Sequence, residues 1–434
     1  MSIGAIGVTG IVILLVLLIV RVPVAFAMFL VGFVGIWILN GWNAATSLLA
    51  SETFTLASNP ELVIIPLFIL MGNVASVTGM SRQLYDAAYA IIGQVRGGLA
   101  SATVIGCGGF AALSGSSVAS ALTMGKVSLA EMDRFAYDPR LSTGVVAAGG
   151  TLGILIPPST GFVIYAILTE QSIGRLFLAG VLPGILLLSC FVLTITLLCW
   201  LRPAFGPKGP KTDSSEKLRA LTGALPILVV IVLTIGGIYG GFFSPTEAAG
   251  VGAGAVVLYG FATGRLGAKA LWIASRDSIV TTATVMLILI AAHLINPFLA
   301  LSHIPTVVGE ALAALNLNTL GTLVVILLVY LVLGCFLEGF AMLVLTLPIF
   351  FPVIVQLGID PIWFGVLVVL TLEMGLISPP VGINVFIVKS VAPNVELGTI
   401  FRGVLPFWCA MLVTLAILIA FPQISLILPD TMMN

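Results

Sequence analysis

The chain has 434 residues, of which 60% are hydrophobic and only 8% are charged, and its formal net charge is zero. Soluble domains carry about a quarter charged residues, so this composition excludes a water-soluble domain, and nothing in the charge balance indicates a nucleic-acid partner. Apolar runs of about 18 residues or more recur along the whole length. The composition therefore predicts an all-α polytopic membrane protein.

Ten apolar segments are predicted to cross the membrane. In chain order they are residues 3–20, 23–39, 62–79, 141–168, 176–201, 220–240, 246–263, 278–300, 361–388 and 403–422. The first segment lacks a basic leading region and a small-residue cleavage site. We therefore interpret it as a retained span rather than a signal peptide.

Two further apolar stretches, residues 98–126 and 320–352, hold a small or polar break near their middles. They are predicted to be re-entrant hairpins that enter from opposite faces of the membrane. The first allows two half-helices of about 13 residues, each ~20 Å long. Such arms reach the middle of a ~30 Å hydrocarbon core but do not cross it twice.

The positive charges test this arrangement. With both hairpins re-entrant, every Lys and Arg except Arg175 falls on one side of the membrane. The positive-inside rule makes that side the cytoplasm, so both termini are predicted to lie on the opposite, outer side of the membrane. Arg21 is interpreted as a cytoplasmic turn residue that enforces this topology, with a contact to a substrate carboxylate as the alternative.

The chain divides into two halves with the same order of elements. Residues 1–205 and 220–434 each contain three spans, a hairpin, a span broken by two prolines and a last span, and the polar segment 206–219 joins them on the cytoplasmic side. Each half has an odd number of spans, so the second copy is predicted to be inserted upside down. Pro157 and Pro379 lie 222 positions apart, which supports the repeat. Inverted repeats with discontinuous helices are typical of secondary transporters.

Two motifs interrupt membrane spans, "GGTLGILIPPSTG" (149–161) and "EMGLISPPVGIN" (373–384). Backbone carbonyls freed inside a bilayer need a partner from protein, an ion or water. Such carbonyl oxygens can coordinate a sodium ion. The helix that starts after each proline pair presents a positive dipole end, which favours a carboxylate. The alternative is a proline kink relieved by packing.

The two hairpin apices carry different chemistry. "AALSGSSVAS" (111–120) supplies hydroxyls for ion coordination, or a small-residue surface for helix packing. "GCFLEGFAML" (334–343) places Glu338 at membrane depth, where protonation, a structural hydrogen bond and a cation site are all open. Glu373 is interpreted as a residue that equally caps or pairs structurally. His293 and His303 are interpreted as markers of the outer membrane interface.

The motifs "GILIPPS", "GLISPPVGIN" and "LSGSS", in this order and spacing, resemble those of the large membrane subunit of a tripartite ATP-independent periplasmic (TRAP) transporter. The resemblance covers essentially the whole chain. It implies a sodium-coupled importer with the elevator architecture of the ion-transporter superfamily, in which two hairpins and two broken helices move past a fixed scaffold. It also implies a small four-helix membrane subunit, here a separate polypeptide, and a periplasmic binding protein that delivers a carboxylate.

The resemblance also implies three sets of site residues. The first sodium site consists of Ser114 and Ser117 with the backbone of Gly153, Ile156 and Pro158. The second consists of Gly334, Gly375, Ser378 and Val381. The substrate cavity is lined by Ser116, Ser159, Thr160, Gly382 and Asn384. The family often has an acidic residue where Glu338 stands, in a coupling or structural role.

Other functions fit the sequence less well. A stand-alone sodium/carboxylate symporter of the same architecture is the main alternative. An intramembrane hydrolase needs a nucleophile beside a base, but the chain has no HExxH motif and no histidine near the "LSGSS" serines, so no enzyme is expected. A channel does not explain two opposed hairpins, and no GxxxxGK[ST] motif indicates ATP. The cargo stays open among sialic acid, C4-dicarboxylates and other small organic acids.

Overall fold

The computed structural model describes residues 2–20, 22–209 and 213–432. Within these ranges the regular secondary structure is helical, apart from one isolated bridge between Arg96 and Lys208. The predictions for Arg21, for Lys211 in the linker and for the extreme chain ends lie outside the described residues. The predicted all-helical fold class is confirmed.

The first half of the chain forms ten α-helices within the described ranges. They are α1 (Ile3–Ile19), α2 (Val24–Asn40), α3 (Trp42–Ser58), α4 (Ile64–Val77), α5 (Met80–Ile92), α6 (Gly98–Ser114), α7 (Ser117–Arg134), α8 (Pro139–Leu155), α9 (Thr160–Thr169) and α10 (Ile173–Leu201). Helices α3 and α5 are additional to the predicted spans. Both are less apolar than the spans around them, so hydropathy alone did not select them.

The second half also forms ten α-helices within the described ranges. Its helices are α11 (Ser214–Tyr239), α12 (Pro245–Ala262), α13 (Ala268–Leu301), α14 (Ile304–Ala314), α15 (Thr319–Gly334), α16 (Gly339–Gln356), α17 (Pro361–Leu376), α18 (Ile383–Val391), α19 (Leu397–Ala420) and α20 (Gln423–Thr431). In the described ranges, six helices are long and apolar enough to cross a membrane, or seven if the bent pair α8–α9 counts as one span. Shorter apolar helices such as α1 and α2 account for further predicted spans.

Both predicted hairpins are helix–turn–helix elements. The second agrees closely with its predicted limits, since α15 and α16 flank a turn at 335–338. The first is longer than predicted, because α6 and α7 have 17 and 18 residues and α7 continues to Arg134. The additional turns of α7 contain charged residues, so hydropathy does not include them in the predicted segment. A charged amphipathic segment still forms a helix.

Both proline pairs break a helix at the predicted place. Helices α8 and α9 meet at 40° across residues 156–159, and α17 and α18 are separated by residues 377–382. The peptide bond between the two prolines is cis in each pair. Each broken helix also starts with an Asp-Pro pair, and Asp138 and Asp360 accept backbone N–H groups of the first turn at 2.8 Å. These capping residues are again 222 positions apart, which extends the repeat register to the helix starts.

The two halves pack reciprocally. Helix α2 lies against α13, α12 lies against α4, and α4 also contacts α13. The contact is close: a Cβ built on Gly32 of α2 would lie 2.8 Å from the Ile295 backbone nitrogen of α13. Asn73 of α4 donates a hydrogen bond to Ser278 of α13 at 2.9 Å. We call α2, α4, α12 and α13 the scaffold helices. The hairpins and broken helices pack on one another and on α5, α10 and α19, and they make fewer contacts with the scaffold helices.

Candidate functional site

The apex of the first hairpin is a compact polar turn. Gly115 ends α6 with a φ of +58°, a conformation that costs glycine little. Ser116 then caps α7 by accepting a hydrogen bond from the Ala119 N–H at 3.3 Å. Ser114 and Ser117 are both buried, and the Ser114 Oγ lies 3.1 Å from the Ser120 Oγ. The predicted ligands of the first sodium site therefore face the protein interior rather than lipid.

This apex docks directly on the first helix break. Thr160, the first residue of α9, donates both its hydroxyl and its backbone N–H to the Gly115 carbonyl, at 2.7 and 3.3 Å. A Cβ on Gly115 would lie 2.8 Å from the Pro158 carbonyl oxygen, and one on Gly153 would overlap the Ser116 carbonyl. The structure thus brings the hairpin apex into backbone contact with the break.

The N-terminal capping residues of two helices lie at this contact. Ser116 caps α7, and Ser159 caps α9 by accepting from the Phe162 N–H at 3.3 Å. Because each hydroxyl accepts from the backbone, its own O–H remains available to donate. Helix N-termini favour negative charge. The combination suits a carboxylate, and Ile156 completes the break between Gly153 and the prolines.

The second predicted ion site also has a close backbone contact, but its hydroxyl side chain, Ser378, already makes two hydrogen bonds. A Cβ on Gly375 of α17 would lie 2.6 Å from the Gly334 Cα at the end of α15. The Ser378 hydroxyl donates to the carbonyl one turn earlier at 2.6 Å and accepts from the Trp408 Nε1 at 2.9 Å. The Ser378 hydroxyl is therefore already hydrogen-bonded on both its donor and its acceptor side. The second proline pair is exposed, whereas the first is buried.

The start of α18 holds the rest of the predicted substrate set. Gly382 precedes this helix without a side-chain cap, and Val381 lies partly exposed in the break before it. Asn384 is fully buried, and within the described structure neither its amide nitrogen nor its amide oxygen has a hydrogen-bond partner. Leaving a buried polar group unpaired costs about 1–3 kcal/mol, so Asn384 is suited to a ligand.

The predicted substrate residues form two groups. Ser116, Ser159 and Thr160 meet at the first apex, while Asn384 makes no hydrogen bond to any of them in the described part of the chain. Helix α18 nevertheless packs against α7 and α8, so the groups belong to adjoining elements. A molecule that bridges them would join the two halves of the protein.

The two acidic residues lie in different environments. Glu338 is exposed and caps α16 by accepting from the Ala341 N–H at 3.4 Å, which is the structural alternative. Glu373 is fully buried, and neither carboxylate oxygen has a hydrogen-bond partner among the described residues. The Ser117 hydroxyl faces it, although outside hydrogen-bonding geometry. The buried acid beside the predicted first ion site is therefore Glu373, which the sequence analysis interprets as a structural residue.

Two further contacts were not foreseen. Trp408 fixes Ser378 through its indole N–H, and Gly72 of α4 lets the scaffold approach Ser114, since a Cβ there would lie 2.6 Å from the Ser114 Cα. The glycine inside an apolar span was the only available signal. His293 pairs with Glu52 of α3, its Nδ1 3.0 Å from the Glu52 Oε2, and its interpretation as a marker of the outer interface stays a prediction.

Comparison with known families identifies the chain. Residues 11–424 match the family described as "Tripartite ATP-independent periplasmic transporter, DctM component". The chain belongs to this family. The DctM assignment confirms the predicted resemblance and makes the protein a multi-span membrane transporter permease rather than an enzyme.

Alignments with named relatives cover nearly the whole chain. It is 39% identical over 387 residues to the C4-dicarboxylate TRAP transporter large permease protein DctM of Pseudomonas aeruginosa, covering 88% of this chain and 89% of that protein. It is 30% identical over 413 residues to the sialic acid TRAP transporter large permease protein SiaM of Vibrio cholerae, covering 94% and 95%. The solved YdaH transporter of Alcanivorax borkumensis has a similar fold, with a TM-score of 0.65 at 15% identity over 88% of this chain and 89% of that one.

Proposed function

We propose that this DctM-family permease imports a small organic acid together with sodium ions. The observation that carries the proposal is the docking of the first hairpin apex on the first helix break, where Thr160 bonds the Gly115 carbonyl twice. Two hydroxyl-capped helix N-termini meet there, and such ends favour a carboxylate. Among carboxylates we favour a C4-dicarboxylate over sialic acid, because the relative that carries this name is the more similar one.

The proposed first cation site combines the Ser114 and Ser117 hydroxyls with carbonyls of the break. Hard cations prefer oxygen ligands. The Glu373 carboxyl lies beside Ser117 and has no protein partner among the described residues, so it supplies a negative charge only when a cation binds next to it. A carboxylate that crosses a low-dielectric interior needs compensating charge. Bound sodium provides it, and inward movement of net positive charge gains about 2.3 kcal/mol per charge per 100 mV.

The proposed mechanism is an elevator in the bacterial inner membrane. The hairpins and broken helices, α6–α9 and α15–α18, move as one transport module past the scaffold helices. A small four-helix membrane subunit, as a separate chain, and a periplasmic binding protein that delivers the acid complete the system. With both termini in the periplasm, the first hairpin opens toward the cytoplasm and the second toward the periplasm.

Transport in proteoliposomes tests the proposal. The permease and its small subunit are reconstituted with an inside-negative potential set by potassium and valinomycin, and a binding protein loaded with radiolabelled succinate is added outside. We expect uptake only with external sodium and the binding protein, and faster uptake at more negative potential. Unchanged uptake when choline replaces sodium would contradict the coupling. Uptake without the binding protein and the small subunit would favour a stand-alone symporter.

A charge-removing variant tests the cation site. Glu373→Gln keeps the shape of the side chain, and we expect the sodium concentration for half-maximal uptake to rise about tenfold, equivalent to about 1.4 kcal/mol. Sodium-dependent thermal stabilisation of the purified protein should shift in parallel. Glu310→Gln, on the exposed face of α14, is the matched control and should change neither value. Equal sodium dependence in Glu373→Gln and wild type would remove Glu373 from the site.

A further inference from the structure

A basic pocket lies where α8, α10 and α19 meet, away from the hairpin apices. We call it the arginine pocket, after Arg140, Arg202 and Arg402. It encloses about 340 Å³. Its remaining walls are mainly apolar and consist of Leu141, Leu198, Leu201, Phe205, Gly403 and Pro406. Three guanidinium groups beside an apolar wall are a combination that the transport mechanism does not use.

The pocket carries an excess of positive charge. Arg140 pairs with Asp138, the Nε lying 3.3 Å from the Oδ1, and the same carboxylate already caps α8. Arg202 and Arg402 form no ion pair in the described part of the chain. Three arginines against one aspartate leave two uncompensated charges. An anion is therefore the expected occupant.

The arginines are held in place by contacts of their own. The guanidinium carbons of Arg140 and Arg202 each lie 5.5 Å from the centre of the Phe205 ring. Cation–π contacts at this distance fix both groups on one aromatic side chain. Helices α8 and α19 touch directly, since a Cβ on Gly403 would overlap the Arg140 carbonyl, and Arg402 is the adjacent residue. The three charges thus lie at one helix junction.

Exposed apolar side chains continue from the pocket along the spans. Leu201 lines the pocket and is 61% exposed, and Leu197 and Leu193, one and two turns earlier on the same face of α10, are 51% and 67% exposed. On α19, Leu405 beside the pocket residue Pro406 is 61% exposed. Residues four apart share a helix face. A ligand with an anionic head and apolar tails matches this surface, whereas a free anion uses only the head region.

We propose that the arginine pocket binds the phosphodiester headgroup of an anionic phospholipid, with acyl chains along α10 and α19. All three arginines lie on the predicted cytoplasmic side, where basic pockets between transmembrane helices bind acidic headgroups. The lipid ties the first broken helix to the two spans that follow the breaks. A second pocket, between α5 and α7, lacks the charge excess, because Arg82 and Arg134 are balanced by Asp86 and Glu131. It serves as an internal contrast.

Lipid binding to the delipidated, detergent-solubilised permease tests the proposal. Dioleoyl-phosphatidylglycerol, dioleoyl-phosphatidylcholine and inorganic phosphate are added separately, and binding is followed by native mass spectrometry and thermal shift. We expect phosphatidylglycerol alone to bind and stabilise. In the double variant Arg202→Gln/Arg402→Gln its affinity should fall about 30-fold, roughly fivefold for each removed charge. Arg134→Gln, whose guanidinium also stacks on a phenylalanine, at 5.8 Å, should bind like wild type.

The outcomes separate the sources of the anion. Equal binding of both lipids, or wild-type binding in the double variant, overturns the proposal. Stabilisation by inorganic phosphate that depends on the same two arginines and competes with the lipid assigns the pocket to a soluble anion, which also overturns it. Arg202→Lys/Arg402→Lys retains the charge and should recover part of the affinity. Recovery distinguishes headgroup binding from a folding defect of the glutamine variant.

Discussion

Thr160 is the residue through which the first broken helix holds the first hairpin. Its hydroxyl bonds a carbonyl 45 positions away at 2.7 Å, whereas Thr169, at the other end of α9, bonds the Tyr165 carbonyl of its own helix at 2.7 Å. Thr160→Val keeps the volume and removes one hydrogen bond worth about 1–1.5 kcal/mol. We expect sodium-driven uptake to fall about tenfold. Thr169→Val should retain wild-type uptake, and equal rates in the two variants would contradict the assigned role.

Single residues differ in how far the sequence reveals them. Ser116 and Ser159 stand directly before helix starts, and N-capping is a local preference that the sequence encodes. Glu373 and Ser117 come from different halves of the chain, and Trp408 reaches Ser378 across a separate helix. Such contacts depend on how helices pack. No local pattern announces them.

At the scale of helices, glycines set how closely the hairpin apex approaches the break. Gly153→Ala places a methyl group on the Ser116 carbonyl, and overpacking of this kind costs about 1–3 kcal/mol. We expect a lower midpoint of thermal unfolding and at least a severalfold loss of uptake. Gly250→Ala on α12 meets nothing within 4 Å. It should be neutral or stabilising by up to about 1 kcal/mol, and a similar loss there would mean that the effect is not specific to the apex.

Helix boundaries were predictable where an apolar span contains residues that disfavour a continuous helix. The proline pairs in "LIPPST" and "LISPPV" predicted the positions of both helix breaks. The small residues around Gly115 predicted the position of the first apex. Hydropathy does not predict α3, α5 or the last turns of α7, because all three segments contain polar residues. Their helicity follows from amphipathic packing rather than from apolar length.

At the scale of the molecule, the elevator mechanism that we propose requires the scaffold helices and the first hairpin to slide past each other. Ser76 of α4 and Thr123 of α7 face each other with hydroxyl oxygens 3.4 Å apart. In a protein without its five native cysteines, a mercury bridge between Ser76→Cys and Thr123→Cys should lower uptake more than about tenfold, because the module is held in one position. Removal of the mercury should restore it.

The matched bridge lies within the scaffold. Asn73→Cys and Ser278→Cys join α4 to α13, where the native side chains are 2.9 Å apart. Both helices belong to the proposed fixed part, so bridging them should leave uptake intact. Full activity of the bridged Ser76→Cys/Thr123→Cys protein would argue against relative movement of the two parts.

The exchange of partners between α2, α13, α12 and α4 has a consequence for how the protein is made. When only the first half has been synthesised, the Gly32 face of α2 has no packing partner, because the Ile295 backbone of α13 has not yet been made. We therefore expect insertion of α2 and α4 to precede their assembly, which is completed only when α12 and α13 have been synthesised. A half expressed by itself should be degraded, while both halves produced as separate polypeptides in one cell should find each other.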